Sequence, residues 1–223
     1  VNQFSISYGH ENGLGSSRYN TAVAGKSPSS TVYGQFRSLL LGDEESSFMF
    51  GNFTSDQIYA LSIERSQYKE KILPASFNLH LSSSLGTLKL TDNSKDITTV
   101  SYSDSGRVYD IVSGSSGNAY SGSGHSISSG SYGKLYPDVG TIILNPHAIQ
   151  GYLGVSPSTG STDSNTVNKQ KVFDMVKEGK YFALNSEETV TSNYIFVRVR
   201  NGEYNYSTNP SYIDDAGDLY HTV

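Results

Sequence analysis

The sequence predicts a mainly β protein, with a β-sandwich or a partly open, barrel-like core, a minor helical part and long loops or arms. Short blocks of alternating apolar and polar residues recur along the chain, as in residues 77–81. Such alternation is typical of strands that are buried on one face. Aromatic residues make up 12% of the 223 residues. They argue against intrinsic disorder, despite the abundant Ser and Gly.

The first 30 residues are polar and rich in Gly, and we find no apolar period in them. They are expected to form an extended N-terminal arm that becomes ordered on contact with another chain. Residues 31–223 are then expected to form one β-rich core domain. Within it, residues 32–41 carry apolar side chains at helical spacing after a Ser/Thr cap, and Gly42 follows. This pattern predicts a short helix that ends at Gly42.

Strands dominate the middle of the chain. Alternating or continuous apolar runs predict them at residues 58–63, 77–81, 88–90, 98–102, 107–112 and 141–144. The charged residues 65–72 predict a single helical turn. Residues 113–133 are rich in Ser and Gly, so we expect a long surface loop there.

One clear helix is predicted near residues 165–178, since Val172, Phe173, Met175 and Val176 form an apolar stripe and Gly179 suits a helix end. The strongest strand pattern in the chain is at residues 193–200. The predicted core consists of Leu61, Ile63, Phe77, Leu79, Leu81, Leu88, Leu90, Val108, Ile142, Leu144, Phe173, Val176, Phe182, Ile195, Val197 and Val199.

Composition and motifs exclude several classes of function. The chain has no Cys, which excludes disulfides, a thiolate nucleophile and a Cys-ligated zinc site. A net charge of -5 argues against nucleic-acid binding, and we find no apolar run of membrane-spanning length. We find no nucleotide-binding, nucleophile-elbow or zinc-protease motif either. We therefore expect no enzyme activity, no cofactor and no metal site.

Two groups of residues are candidate protein interfaces. Arg65, Tyr68, Lys69 and Lys71 belong to the densest mixed-charge stretch, which suits either salt bridges between subunits or an ordinary solvated turn. The second group is formed by Tyr204, Tyr206 and Tyr212. Tyrosine offers rigid contact area with a polar tip, so we favour an interface there over a sugar-stacking site.

Several blocks resemble structural proteins of large contractile-tailed phages, especially cyanophages and other marine myoviruses. The blocks are VYGQFRSLLLG at 32–42, IYALSIERSQYKEKILP at 58–74, SYGKLYPDVG at 131–140 and the region 186–210. The resemblance extends over nearly the whole chain. It implies a virion protein of the tail or baseplate, assembled in the host cytoplasm in many copies with other tail subunits. It also implies that this chain is a fragment of a larger polypeptide.

Three functions follow, in order of preference. The first is a structural tail or baseplate component that acts through subunit–subunit interfaces. The second is a receptor- or glycan-binding module of a phage fibre or an adhesin, which the Tyr-rich surface suggests. The third is a polysaccharide hydrolase, for which the acidic clusters at 43–45 and 187–188 are the sole support.

Overall fold

The computed structural model describes residues 2–17, 27–121 and 131–198, together with 209, 211, 213–216 and 218. These residues are mainly β, which confirms the predicted fold class. In chain order the elements are β1 (Phe4–His10), α1 (Pro28–Leu41), β2 (Phe48–Phe50), β3 (Phe53–Ser55), β4 (Gln57–Ile63), β5 (Lys71–Ile72), β6 (Asn78–Ser83), β7 (Gly86–Asp92), β8 (Ser101–Ser103), β9 (Gly106–Ser115), β10 (Asn118–Ala119), β11 (Gly133–Tyr136), β12 (Thr141–Leu144), α2 (Pro146–Leu153), α3 (Val167–Gly179), β13 (Phe182–Ala183) and β14 (Ser186–Glu187). The chain divides into two units, Val1–Thr189 and Val190–Val223.

Eight strands of the first unit form one antiparallel sheet in the order β1–β4–β12–β11–β9–β7–β6–β13. The short strands β8 and β10 pair with β9 beside this path. The sheet curls into a half-barrel, so the partly open barrel is the form that the fold takes. Because the barrel is incomplete, β1 and β13 remain as its two edge strands.

Apolar side chains cover both faces of the curled sheet. The larger cluster, which we call the inner core, contains Leu61 of β4 together with Val172 and Met175 of α3. The smaller cluster, on the opposite face of β4, contains Ala60 of β4 and Tyr33 of α1. Since β4 is buried on both faces, its sequence is an almost continuous apolar run rather than an alternating one.

The helix ends follow the sequence closely. Helix α1 starts after a capping box in which Ser27 and Ser30 exchange side chain–backbone contacts, and it ends at Gly42, whose φ is 69°. In α2 the Asn145 side chain accepts hydrogen bonds from the first turn. Both predicted helices, near 32–41 and 165–178, are therefore confirmed.

Gly179 has a different role from the predicted one. The left-handed residue at the end of α3 is Lys180, with φ of 56°. Gly179 lies against strand β6, where an added Cβ would overlap the carbonyl oxygen of His80. The sequence needs glycine here because the helix backbone approaches the sheet closely, and not because the chain reverses at this residue.

The expectation for the first 30 residues is wrong for residues 4–10. These residues form β1, which pairs with β4 along its whole length, from Phe4 opposite Ile63 to His10 opposite Gln57. Helix α1 packs closely on this strand, because an added Cβ on Gly9 would lie 2.9 Å from the backbone of Tyr33. Alternation of Phe4, Ile6 and Tyr8 with small residues is the strand signal that the prediction missed.

The predicted Ser/Gly loop at 113–133 is shorter than expected. Strand β9 continues to Ser115 and turns back into β10, while β11 begins at Gly133. Small residues permit this hairpin, since a Cβ on Gly114 would overlap the carbonyl oxygen of Asn118. Residues 122–130 of the predicted loop lie outside the described residues.

The predicted core is correct for the sheet and wrong at two places. Leu61, Ile63, Phe77, Leu79, Leu81, Leu88, Leu90, Val108, Ile142 and Leu144 are buried, and Val176 and Phe182 are partly buried. Phe173 is 49% exposed, because α3 turns Val172 and Met175 towards the sheet instead.

The predicted strand at 193–200 does not form within residues 193–198. Ile195 is 86% and Val197 is 80% exposed, whereas Val199 lies outside the described residues. The expectation that these side chains belong to the core of this chain is therefore wrong at Ile195 and Val197. A strand requires a hydrogen-bonded neighbour, and the described residues of the chain supply none here.

Candidate interaction surface

Strand β1 has one edge that pairs with no strand among the described residues. The Glu64 N–H donates to the Gln3 carbonyl at 2.9 Å, whereas the Ile63 N–H donates to Gly140 on the opposite side. Antiparallel hydrogen-bonding alternates residue by residue, so the backbone groups of Phe4 and Ile6 point away from β4. We call this the β1 free edge. Among the described residues, the outward backbone groups of Phe4 and Ile6 have no backbone partner. Such an edge can accept a further strand.

A groove lies beside the β1 free edge. It has a volume of about 540 Å³ and is lined by Asn2, Gln3, Phe4 and Ile6 and, from α3 and its start, by Thr166, Lys169, Gln170 and Phe173. A smaller notch of about 180 Å³ adjoins it, lined in part by Phe4 and Phe182, whose rings meet edge to face at 5.0 Å. The groove and the notch are thus lined by both apolar and polar side chains.

Residues 190–198 form a second exposed apolar feature, which lies in the second unit. Five of their side chains are 79–93% exposed, namely Val190, Tyr194, Ile195, Phe196 and Val197. None of these residues has a backbone hydrogen bond to a described residue. Contiguous exposed apolar side chains of this kind are typical of surfaces that contact a protein, a membrane or a ligand. We call residues 193–198 the exposed segment.

The structure separates the four residues of the charged candidate interface. Arg65 is exposed and its guanidinium lies 4.9 Å from the ring of Tyr68, which is itself buried. The Lys69 ammonium is 2.5 Å from Glu188, and the Lys71 ammonium is 3.6 Å from Glu187. These lysines therefore have partners within the same chain, and the residues form parts of a 3₁₀ turn, a loop and β5.

These ion pairs belong to a clamp between β5 and β14. The Ile72 strand residue pairs with Ser186, and the Thr189 N–H donates to the Glu70 carboxylate at 3.1 Å. On the other side of Glu187, Arg107 binds Asp138 through its side chain at 2.9 Å and its backbone N–H at 2.8 Å. We call this set of contacts the charged clamp. It fixes the chain up to Thr189.

Within the clamp, the Arg107–Asp138 pair is ionised in both partners. Burial raises the pKa of the Asp138 carboxyl, but the hydrogen bonds and the charge of Arg107 outweigh burial and lower it below its usual range. Two parallel contacts between a guanidinium and a carboxylate fix geometry as well as charge.

The tyrosine group predicted as an interface, Tyr204, Tyr206 and Tyr212, lies outside the described residues. The prediction for these residues stays a prediction.

A polar cluster that the sequence did not reveal joins three distant residues. Asp56 lies 3.6 Å from the His10 Nε2 and 3.3 Å from the His147 Nε2. The His10 Nδ1 accepts a hydrogen bond from the Asn12 N–H at 3.1 Å. His10 is 2% exposed, and burial lowers the pKa of its imidazole below 6.5, although Asp56 acts in the opposite direction. Burial therefore favours the neutral imidazole of His10.

The hydrogen bonds of this cluster determine which nitrogen of His10 carries the proton. Because the His10 Nδ1 is an acceptor, its proton is on Nε2 and faces Asp56. The pairing of His10 with Gln57 in the β1–β4 ladder brings the first histidine to Asp56, and α2 brings His147.

The described residues contain no set of three or more His, Cys, Asp or Glu placed to hold a metal ion.

Comparisons with the models of known protein families, with curated proteins and with solved structures found no match. In the part of the chain that the structure describes, we find no helix with the length and apolar character needed to cross a bilayer.

Proposed function

We propose that this chain is a structural subunit that works by binding other protein chains. The observation that carries the proposal is the exposed segment, in which Phe196 is 93% exposed. Four consecutive apolar residues, from Tyr194 to Val197, lie within it. Leaving it in water is unfavourable, at roughly 25 cal/mol for each Å² of apolar surface. A binding partner that covers this surface removes that penalty.

The class of assembly that we propose is the tail or baseplate of a contractile-tailed phage. The support is the sequence resemblance, whose block at 32–42 covers most of α1 and whose block at 58–74 covers most of β4 and the charged turn. Under this proposal the partners are other tail or baseplate subunits present in several copies, and the chain is found in the virion. Its role is mechanical, with no catalytic step and no cofactor.

Purified particles provide the direct test. Mass spectrometry of density-purified virions from the source phage should detect this chain in a fixed ratio to the tail proteins. Electron microscopy of the same particles should show the half-barrel in the tail or baseplate. If the chain is made during infection but is absent from purified particles, the proposed function is wrong.

A glycan array separates this function from the alternative of a receptor-binding module. The full chain, fluorescently labelled, should bind no glycan above background. Binding that disappears in Tyr204→Ala or Tyr206→Ala, but not in Tyr102→Ala, would instead establish the glycan-binding function. Tyr102 is the control, because it is an exposed tyrosine outside this group.

A further inference from the structure

We propose that the exposed segment of one copy adds as a strand to the β1 free edge of a second copy. This inference rests on the proposed function, since it names the partner as another copy of the same chain. Strand addition satisfies both halves of the pair at once: the free backbone groups of β1 and the uncovered apolar side chains of residues 193–198.

The backbone geometry defines a register. All other pairs in the main sheet are antiparallel, so we infer an antiparallel addition. Phe4 and Ile6 carry the outward backbone groups, and Val197 and Ile195 can face them as hydrogen-bonded pairs. Ser5 then lies opposite Phe196 as a non-hydrogen-bonded pair.

The side chains fit this register. On an added strand, Ile195 and Val197 point to the same face as Phe4 and Ile6, which is the face packed on the inner core. There they lie over the groove beside Phe173, which is 49% exposed in a single copy. Phe196 and Arg198 point to the opposite face, next to the small side chain of Ser5.

A second copy is the occupant because each copy carries both halves of this contact. Each gives a segment and accepts one, which is a head-to-tail contact between different surfaces. Repetition of such a contact produces a closed ring when the rotation closes, and an open filament otherwise. An isolated partner strand from another protein would leave the exposed segment of this chain still uncovered.

Mutual complementation tests the contact in solution. The full chain should sediment at a multiple of its 24.2 kDa mass. A donor-deficient variant, Ile195→Asp with Val197→Asp, and an acceptor-deficient variant, Phe173→Glu, should each sediment as a monomer. Mixing the two should give a one-to-one pair of twice the monomer mass and nothing larger. Tyr102→Glu, a change at another exposed aromatic residue, should assemble like the unmodified chain.

Each result separates the alternatives. A monomeric unmodified chain would overturn the inference, as would assembly of Phe173→Glu alone, which would indicate that two exposed segments pair with each other. Failure of the two variants to form a pair would also overturn it, provided that circular dichroism shows both to be folded. A chain that is monomeric in solution but present in virions would leave the proposed function standing without this inference.

A disulfide trap tests the register. The chain has no Cys, so any cross-link comes from introduced residues alone. Ser5→Cys in one copy and Phe196→Cys in another should form a disulfide on mild oxidation, because non-hydrogen-bonded pairs have Cα atoms about 4.5 Å apart. Tyr102→Cys mixed with Phe196→Cys should stay reduced. Equal cross-linking of the two mixtures would overturn the register.

Discussion

Strand β4 and the exposed segment have similar sequences and opposite environments. Both are rich in β-branched and aromatic residues, yet β4 lies between β1 and β12 with apolar clusters on both faces, whereas Ile195 and Phe196 are exposed to solvent. The comparison shows that a strand-forming pattern predicts pairing with another strand and burial of its side chains. It does not predict whether the same chain or another one supplies the partner. Leu61→Ala and Phe196→Ala test this contrast directly, whereas Gly179→Ala and His10→Gln test the packing around the sheet.

The largest effect is expected from Leu61→Ala in β4. Leu61 is fully buried in the inner core, so the change removes apolar contacts and leaves a cavity. We expect the free energy of unfolding to fall by about 2–5 kcal/mol. Urea denaturation followed by circular dichroism measures this change. A loss below about 1 kcal/mol would contradict the assignment of β4 to the centre of the core.

The fit between α3 and the sheet is tested by Gly179→Ala. An added methyl group would overlap the His80 carbonyl, so we expect a loss of about 1–3 kcal/mol in the free energy of unfolding. Gly151→Ala in α2 is the matched control, because a Cβ at that position meets no atom within 4 Å. The control should raise stability by up to about 1 kcal/mol. Equal effects at the two glycines would refute the close approach of helix and sheet.

A pH dependence is expected from His10. Its lowered pKa means that the unfolded chain binds a proton more readily than the folded chain does. Its contribution to stability is therefore complete above pH 6.5 and is lost as the pH falls from 6.5 to the lower folded pKa. The slope contributed by one proton is at most about 1.4 kcal/mol per pH unit.

Thermal or urea unfolding measured between pH 7 and pH 5 checks this dependence. His10→Gln should reduce the slope without abolishing it, because burial and Lys89 also lower the pKa of His80. His80→Gln provides the comparison for this second contribution. An unchanged slope in His10→Gln would contradict the buried, neutral state of His10.

The smallest effect is expected from Phe196→Ala. In a dilute sample that sediments as a monomer, the free energy of unfolding should change by less than about 0.5 kcal/mol, since Phe196 is 93% exposed. The unfolding midpoint of the unmodified chain and of this variant should coincide within that limit. A loss comparable to that of Leu61→Ala would show that the segment packs within its own chain.

The parts of the fold that sequence predicted well are those governed by local periodicity. The hairpin of β6 and β7 and the helix α3 carry their spacing and end signals within a few residues. The sequence predicted less well which face of α3 packs on the sheet. Its apolar stripe includes Phe173, but packing against the sheet leaves this residue exposed.

Long-range features were beyond sequence reasoning. Residues His10, Asp56 and His147 meet only because β1 pairs with β4 in one register and α2 follows β12. The spacing of these residues in the sequence does not predict that pairing. Likewise, the charge density of 65–71 predicted an interaction, but the residues Glu187 and Glu188 that bind Lys71 and Lys69 come from a distant part of the chain.

The charged clamp has a consequence for the kinetics of assembly. It holds the chain at Thr189, and only residues 190–192 separate this anchor from the exposed segment. When one strand contact opens in a closed ring, the released segment stays tethered beside its acceptor at an effective concentration that for short tethers is about millimolar. Rebinding then competes with departure. Contacts that are individually weak can thus give a ring that is long-lived and still able to correct errors while it forms.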